Sequence, residues 1–146
     1  MIRILVVEDF AGFRSLVSLM LRTQGQFEVV ICEVSDGLDA VAKARELSPD
    51  VILMDIGLPK LNGLEAARQI RELVPSSKIV FLTQETGVES IKAAFKMGAW
   101  GYVSKLHTHR DLLAALTAIL QCKRFVSSGL LTESHMDEQQ LGSLLI

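Results

Sequence analysis

The sequence predicts an α/β fold, a doubly wound parallel sheet of five strands with helices on both faces. Three observations carry this. Short apolar runs recur at Ile4 to Val7, Val29 to Cys32, Val51 to Met54, Ile79 to Leu82 and Tyr102 to Val103. They are continuous rather than alternating, as strands covered on both faces should be. Longer segments with a 3.6-residue apolar period separate them, and helix-breaking residues follow three of those segments.

The elements follow in order. After the first strand, Phe13, Leu16, Val17, Met20 and Leu21 form one helical stripe. After the second, Ala40, Val41, Ala44 and Leu47 mark a weaker helix stopped by Ser48-Pro49. Ala66, Ala67, Ile70, Leu73 and Val74 form the third helix, ended by Pro75, and Val88, Ile91 and Phe95 the fourth, ended by Gly98. Leu112 to Leu120 is a nearly all-apolar fifth. Five βα units joined by right-handed crossovers have two common strand orders, between which periodicity does not choose; the flavodoxin-like order 2-1-3-4-5 is the one expected here. Composition shifts only after Phe125, where VSSGLLTESHMDEQQLGSLLI turns polar and then weakly amphipathic. Residues 1–125 therefore read as one domain and 126–146 as a linker or tail.

Composition narrows the function classes. Of the 146 residues 49% are hydrophobic and 22% charged, which excludes a disordered tail and indicates a filled core. Fifteen Lys and Arg against seventeen Asp and Glu leave a net charge of -2, with no basic field for a phosphate backbone, so direct nucleic-acid binding is not expected. Cys32 and Cys122 lack any metal-ligand spacing and read as small apolar residues in a reducing compartment. The longest apolar stretch falls well short of the roughly 20 residues of a membrane span, and MIRILVVED reads as a strand rather than a leader. The expected location is the cytoplasm.

In open α/β sheets ligands bind beyond the carboxyl ends of the strands. Strand one ends in Glu8-Asp9, strand three in Asp55, strand four in Thr83 and strand five in Lys105. Three carboxylates, a hydroxyl and an ammonium would thus meet at one edge, a set suited to metal-assisted phosphoryl transfer. Carboxylates supply the hard oxygen ligands that Mg²⁺ takes, with Asp9 and Asp55 as direct ligands. Asp55 could attack phosphorus with its other oxygen while the metal, Thr83 and Lys105 neutralise the equatorial oxygens. Singly, each residue has a plainer explanation: Asp9 and Thr83 as helix N-caps, Asp55 as a turn former, Glu8 and Lys105 as solvated charges. Their coincidence at one sheet edge favours the functional reading.

The motifs ILVVED at Ile4 to Asp9, DVILMDIGLPKLNGLEA at Asp50 to Ala66, FLT at Phe81 to Thr83 and GAWGYVSK at Gly98 to Lys105 resemble, in order and spacing, the receiver domains of bacterial two-component response regulators. The set spans nearly all of residues 1 to about 125 and looks like the subfamily that continues into a LuxR-type helix-turn-helix. The resemblance implies Glu8 and Asp9 as the acidic pair for Mg²⁺, Asp55 as phosphoacceptor, Gly57 as a backbone-carbonyl ligand, and Thr83 and Lys105 as phosphoryl contacts. It implies Tyr102 as the switch aromatic that turns inward as Thr83 moves toward phosphate; the plainer reading is a half-exposed aromatic on a short strand. It also implies a sensor histidine kinase or phosphotransfer protein as phosphate source. The face of helix four, strand five and helix five is the implied partner or homodimer surface.

Two departures stand out. Leu106 follows Lys105 where the family usually has proline, commonly cis, a geometry that costs a non-proline residue about 3–4 kcal/mol; the Lys105 to His109 loop is thus expected to differ in shape. Gln84 replaces a small residue beside the approach to the site. His107 and His109 lack further ligands and read as exposed. Leu131-Thr132-Glu133, Leu141 and Leu144-Leu145 faintly resemble the opening of a LuxR-type domain, without the recognition helix such a domain needs. Two other functions remain open: a degenerate receiver acting without phosphorylation, and an aspartate-nucleophile phosphatase of the haloacid-dehalogenase type. The latter carries a second Asp where this chain has Gly57, and a P-loop enzyme is excluded by the missing GxxxxGK[ST] run.

Overall fold

The computed structural model describes residues 1–127 and Leu130. Its elements alternate as β1 (Ile2–Val7), α1 (Ala11–Thr23), β2 (Val29–Val34), α2 (Gly37–Leu47), β3 (Val51–Met54), α3 (Gly63–Leu73), β4 (Lys78–Thr83), α4 (Val88–Lys96), β5 (Gly101–Ser104), α5 (Thr108–Leu120) and β6 (Phe125–Val126), with a 3-10 turn at Lys105–His107. All strands are parallel, in the order β2-β1-β3-β4-β5-β6. The expected order 2-1-3-4-5 is present, with β6 added beyond β5. At two residues, β6 is too short to leave a periodic signal.

The sheet has two apolar faces because alternate side chains of each strand point opposite ways. Leu5, Val7, Ile52, Met54 and Phe81 join Ala40, Ala67, Ile70 and Ile91 under α2, α3 and α4. Ile4, Val6, Val51, Leu53 and Val80 join Val17, Leu21, Leu112, Leu116 and Ile119 under α1 and α5. Two stripe residues face solvent: Leu16 and Leu73 are exposed, and Ser18 takes an inward position on α1 instead. At about 100° per residue, a stripe five positions long drifts past the edge of the buried face.

Local chemistry sets the helix ends. The Asp36 carboxylate accepts from the backbone N–H of Asp39 at 2.8 Å, and the Asn62 side chain accepts from Glu65 N at 3.0 Å. Each satisfies one of the unpaired donors of a first helical turn. Helix α2 ends at Ser48, in the left-handed region at φ 45°, and Gly98 follows α4 at φ 90°. Among the described residues no helix is long and apolar enough to cross a membrane, and Cys32 and Cys122 are both free.

Candidate functional site

Strand register brings the candidate residues level. Asp55 N donates to Val7 O at 3.2 Å and Glu8 N to Val34 O at 3.1 Å, so both leave the sheet at the same edge. Thr83 pairs with Ser104, the residue before Lys105. Glycine at 63 allows α3 to start beside the Asp55 backbone: a Cβ there would collide with the Asp55 carbonyl oxygen, while Gly63 N donates to Ile56 O at 2.7 Å.

The result is a cleft of about 520 Å³ whose walls include Glu8, Asp9, Asp55, Gly57, Thr83 and Lys105. One carboxylate oxygen each from Glu8, Asp9 and Asp55 lies within 4.8 Å of the others; Glu8 and Asp55 are buried and Asp9 exposed. Lys105 Nζ donates to Asp55 Oδ2 at 2.9 Å and to Glu8 Oε1 and Oε2 at 2.9 and 3.1 Å. The same ammonium lies 4.9 Å from the centre of the Phe13 ring, within cation–π range. Asp55 Oδ1 accepts from Ile56 N at 2.7 Å, which fixes the rotation of the carboxylate.

Burial raises the Glu8 carboxyl above its usual range, against the opposing pull of Lys105. Burial alone would lower the Lys105 ammonium, yet its bonds to Asp55 and Glu8 outweigh that and leave it raised. Three carboxylates therefore face a single firmly protonated ammonium. Hard oxygen donors in excess of local positive charge, one of them open to solvent, fit a divalent cation such as Mg²⁺. Gly57 lines the same cleft, with open space where a side chain would be.

Neither Asp9 nor Thr83 caps a helix. The α1 cap position is Phe10 and the α4 cap position is Gly87, neither with a side-chain bond. Thr83 is buried, and its Oγ1 accepts from Glu85 N at 3.2 Å. Tyr102 does not line the cleft and is not half exposed: it is 0% exposed, its ring 6.5 Å from Phe81, with its hydroxyl donating to Glu85 O at 2.7 Å. Burial, with the charges of Glu85 and Asp55 added, pushes its phenol up. Leu106 is 77% exposed and sits in the 3-10 turn, its N–H donating to Ser104 Oγ at 3.3 Å. Among the described residues no peptide bond is cis. His107 is half buried rather than exposed, and His109 is exposed; neither belongs to the acidic group.

Sequence reasoning missed Phe13 as the bench beneath Lys105, Glu85 as the link between Thr83 and Tyr102, and Gly63. Phe13 was legible only as part of an apolar stripe, and Glu85 carried no pattern at all. Asn62-Gly63 before a helical period was a usable signal for a close approach.

The sequence matches the family described as "Response regulator receiver domain" over residues 4–117. It is similar to the transcriptional regulatory protein DegU of Brevibacillus brevis, 35% identical over 120 residues, covering 82% of this chain and 50% of that protein. It is similar to the response regulator protein VraR of Staphylococcus aureus, 36% identical over 115 residues, covering 79% and 54%. A crystal structure of a two-component response regulator of the LuxR family from Aurantimonas sp. SI85-9A1 superposes with a TM-score of 0.86 at 31% identity, covering 97% of this chain and 99% of that one. The chain spans about half the length of the curated relatives it matches.

Proposed function

This chain belongs to the response regulator receiver domain family, and on that premise we propose that it is a phosphorylation switch in which Asp55 accepts the phosphoryl group. Receiver domains of two-component response regulators are signalling domains, and this one acts on no substrate beyond its own Asp55. The observation that carries the reading is the Asp55 carboxylate, pinned by Ile56 N and Lys105 in an open cleft beside Glu8 and Asp9.

Glu8, Asp9, Asp55 and the Gly57 carbonyl would hold Mg²⁺, whose charge offsets the repulsion between carboxylate and phosphate. Asp55 forms the new O–P bond as the bond to the donor's leaving group breaks. Lys105 follows the charge from the carboxylate to a phosphoryl oxygen, and the Thr83 hydroxyl turns from Glu85 N toward another. Tyr102, bonded to Glu85 O, registers that turn at the α4, β5 and α5 face, the surface we assign to partners or to a second copy. The phosphate comes from a sensor histidine kinase or a phosphotransfer protein in the cytoplasm. We place the receiver at residues 1–125 and a linker or tail at 126–146, of which the first residue, Val126, still pairs in β6, and we assign the chain to the regulation of transcription.

Acetyl phosphate with Mg²⁺ tests the reading directly. Intact-protein mass spectrometry should show one added phosphoryl group on the chain and none on Asp55→Asn, which keeps the shape and loses the nucleophilic charge. Continuous turnover of the donor would indicate a phosphatase, absence of labelling a degenerate receiver, and equal labelling of Asp55→Asn a wrong nucleophile.

A further inference from the structure

Phe13 lines the cleft without a polar side-chain atom, yet its ring meets an ammonium. Lys105 Nζ lies over that ring, 4.9 Å from its centre. The other sides of the ammonium are occupied: Glu8 Oε1 and Oε2 accept from it at 2.9 and 3.1 Å, and Asp55 Oδ2 at 2.9 Å. The Lys105 side chain is only 13% exposed, so little water reaches the charge.

The ring itself is held from two directions. It packs against the apolar cluster under α1 and α5. The next residue, Arg14, donates to Glu8 O at 2.8 Å and pairs with Glu33 at 3.5 Å. These contacts latch the first turn of α1 to the loop that carries Glu8 and Asp9, and the ring keeps a fixed place beside the acidic group. The hydrogen bonds alone do not centre Lys105. Two go to Glu8 and one to Asp55, so they favour Glu8, whereas the phosphoryl group forms on Asp55. A ring face attracts a cation without a fixed direction. The ammonium can therefore keep that hold while it exchanges a carboxylate oxygen for a phosphoryl oxygen.

We propose that Phe13 is a positioning residue, which keeps the Lys105 ammonium aimed at Asp55 before and during phosphoryl transfer. The proposal rests on the reading of Asp55 as phosphoacceptor. A cation held in place beforehand stabilises the charge on the phosphoryl oxygens without reorganising as the new bond forms. The effect of Phe13 passes through Lys105 alone.

Labelling by acetyl phosphate at saturating Mg²⁺, followed by intact-protein mass spectrometry, tests this in variants with and without the ring. Phe13→Leu and Phe13→Met should label at least about twofold more slowly, the lower end of what a cation–π contact is worth. Phe13→Tyr, which keeps the ring face, should label at the parent rate. In the Lys105→Ala background, Phe13→Leu should slow labelling no further, because residues that act through one contact are not additive. A second readout needs neither metal nor donor. Ring current should move the Lys105 side-chain proton signals upfield in the parent chain and in Phe13→Tyr, and Phe13→Leu should return them to the ordinary lysine position. Should one variant without the ring fail to fold, the other decides. Ordinary Lys105 signals in the parent chain, unslowed labelling without the ring, or equal slowing in the Lys105→Ala background overturns the positioning role and leaves the phosphoacceptor reading intact. A parent chain that takes up no phosphoryl group removes both.

Discussion

The Lys105 ammonium makes its bonds to the same carboxylates that a cation would use. Asp9 is the exposed member of the acidic group and is absent from those bonds. Asp9→Asn should therefore weaken Mg²⁺ binding and reduce labelling by acetyl phosphate, with added Mg²⁺ restoring much of it; labelling that stays low at saturating Mg²⁺ would contradict this. Lys105→Ala should slow labelling at all Mg²⁺ concentrations, because it removes the counter-charge rather than a ligand. Gly63 is constrained differently. Its missing Cβ makes room for the Asp55 carbonyl, and Gly63→Ala should cost about 1–3 kcal/mol, the range for forced overpacking, in urea unfolding. At this scale the acidic residues and Lys105 were legible because each sits just past an apolar run. The inward pose of Tyr102 was not, since it depends on one hydrogen bond to a loop carbonyl seventeen residues away.

Among the elements, the helix starts are the most local features. Asn62 stands at the cap of α3, the helix that follows the Asp55 loop. Asn62→Ala should lower stability by about 1 kcal/mol, measured by urea denaturation. Asp36 caps α2, and the N–H of Asp39 holds its carboxyl below the ordinary value of 3.8, with Lys60 adding to the effect against some burial. A carboxylate lowered by folding stabilises above its unfolded pKa, and that contribution is lost as pH falls from about 3.8 through the folded value. Stability measured from pH 5 down to pH 2 should fall less steeply in Asp36→Asn, which keeps the acceptor without the titration. Elements were read well where an apolar period ran for three turns, as in α3. They were read poorly where position was decided by other elements: Leu16 lies on the stripe of α1 yet faces out, and β6 exists only because β5 offers it an edge.

For the molecule as a whole, one sheet carries two cores. Ile70 packs on one face and Leu116 on the other, both fully buried. Because the strands between them are shared, neither face should unfold alone. Ile70→Ala and Leu116→Ala should each cost about 2–5 kcal/mol, and far-UV circular dichroism and methyl NMR signals from both faces should report one coincident urea transition in each variant. Separate midpoints for the two faces would show that the sheet does not couple them. The double winding was legible because five apolar runs were unbroken, and so needed cover on both sides. The closure of the β5 edge was not, because Ser127 and Leu130 look like ordinary linker residues until their partners are known.

The chain contains a single tryptophan. Trp100 lies directly before β5, with Lys78 Nζ 4.8 Å from its ring and the Arg124 guanidinium at 4.3 Å. Its emission is therefore a native optical gauge of the root of the β5–β6 junction: any event that lifts Arg124 from the indole changes the colour or brightness of the light it gives out. The proposed switching should be readable in a cuvette, in real time, with no dye attached.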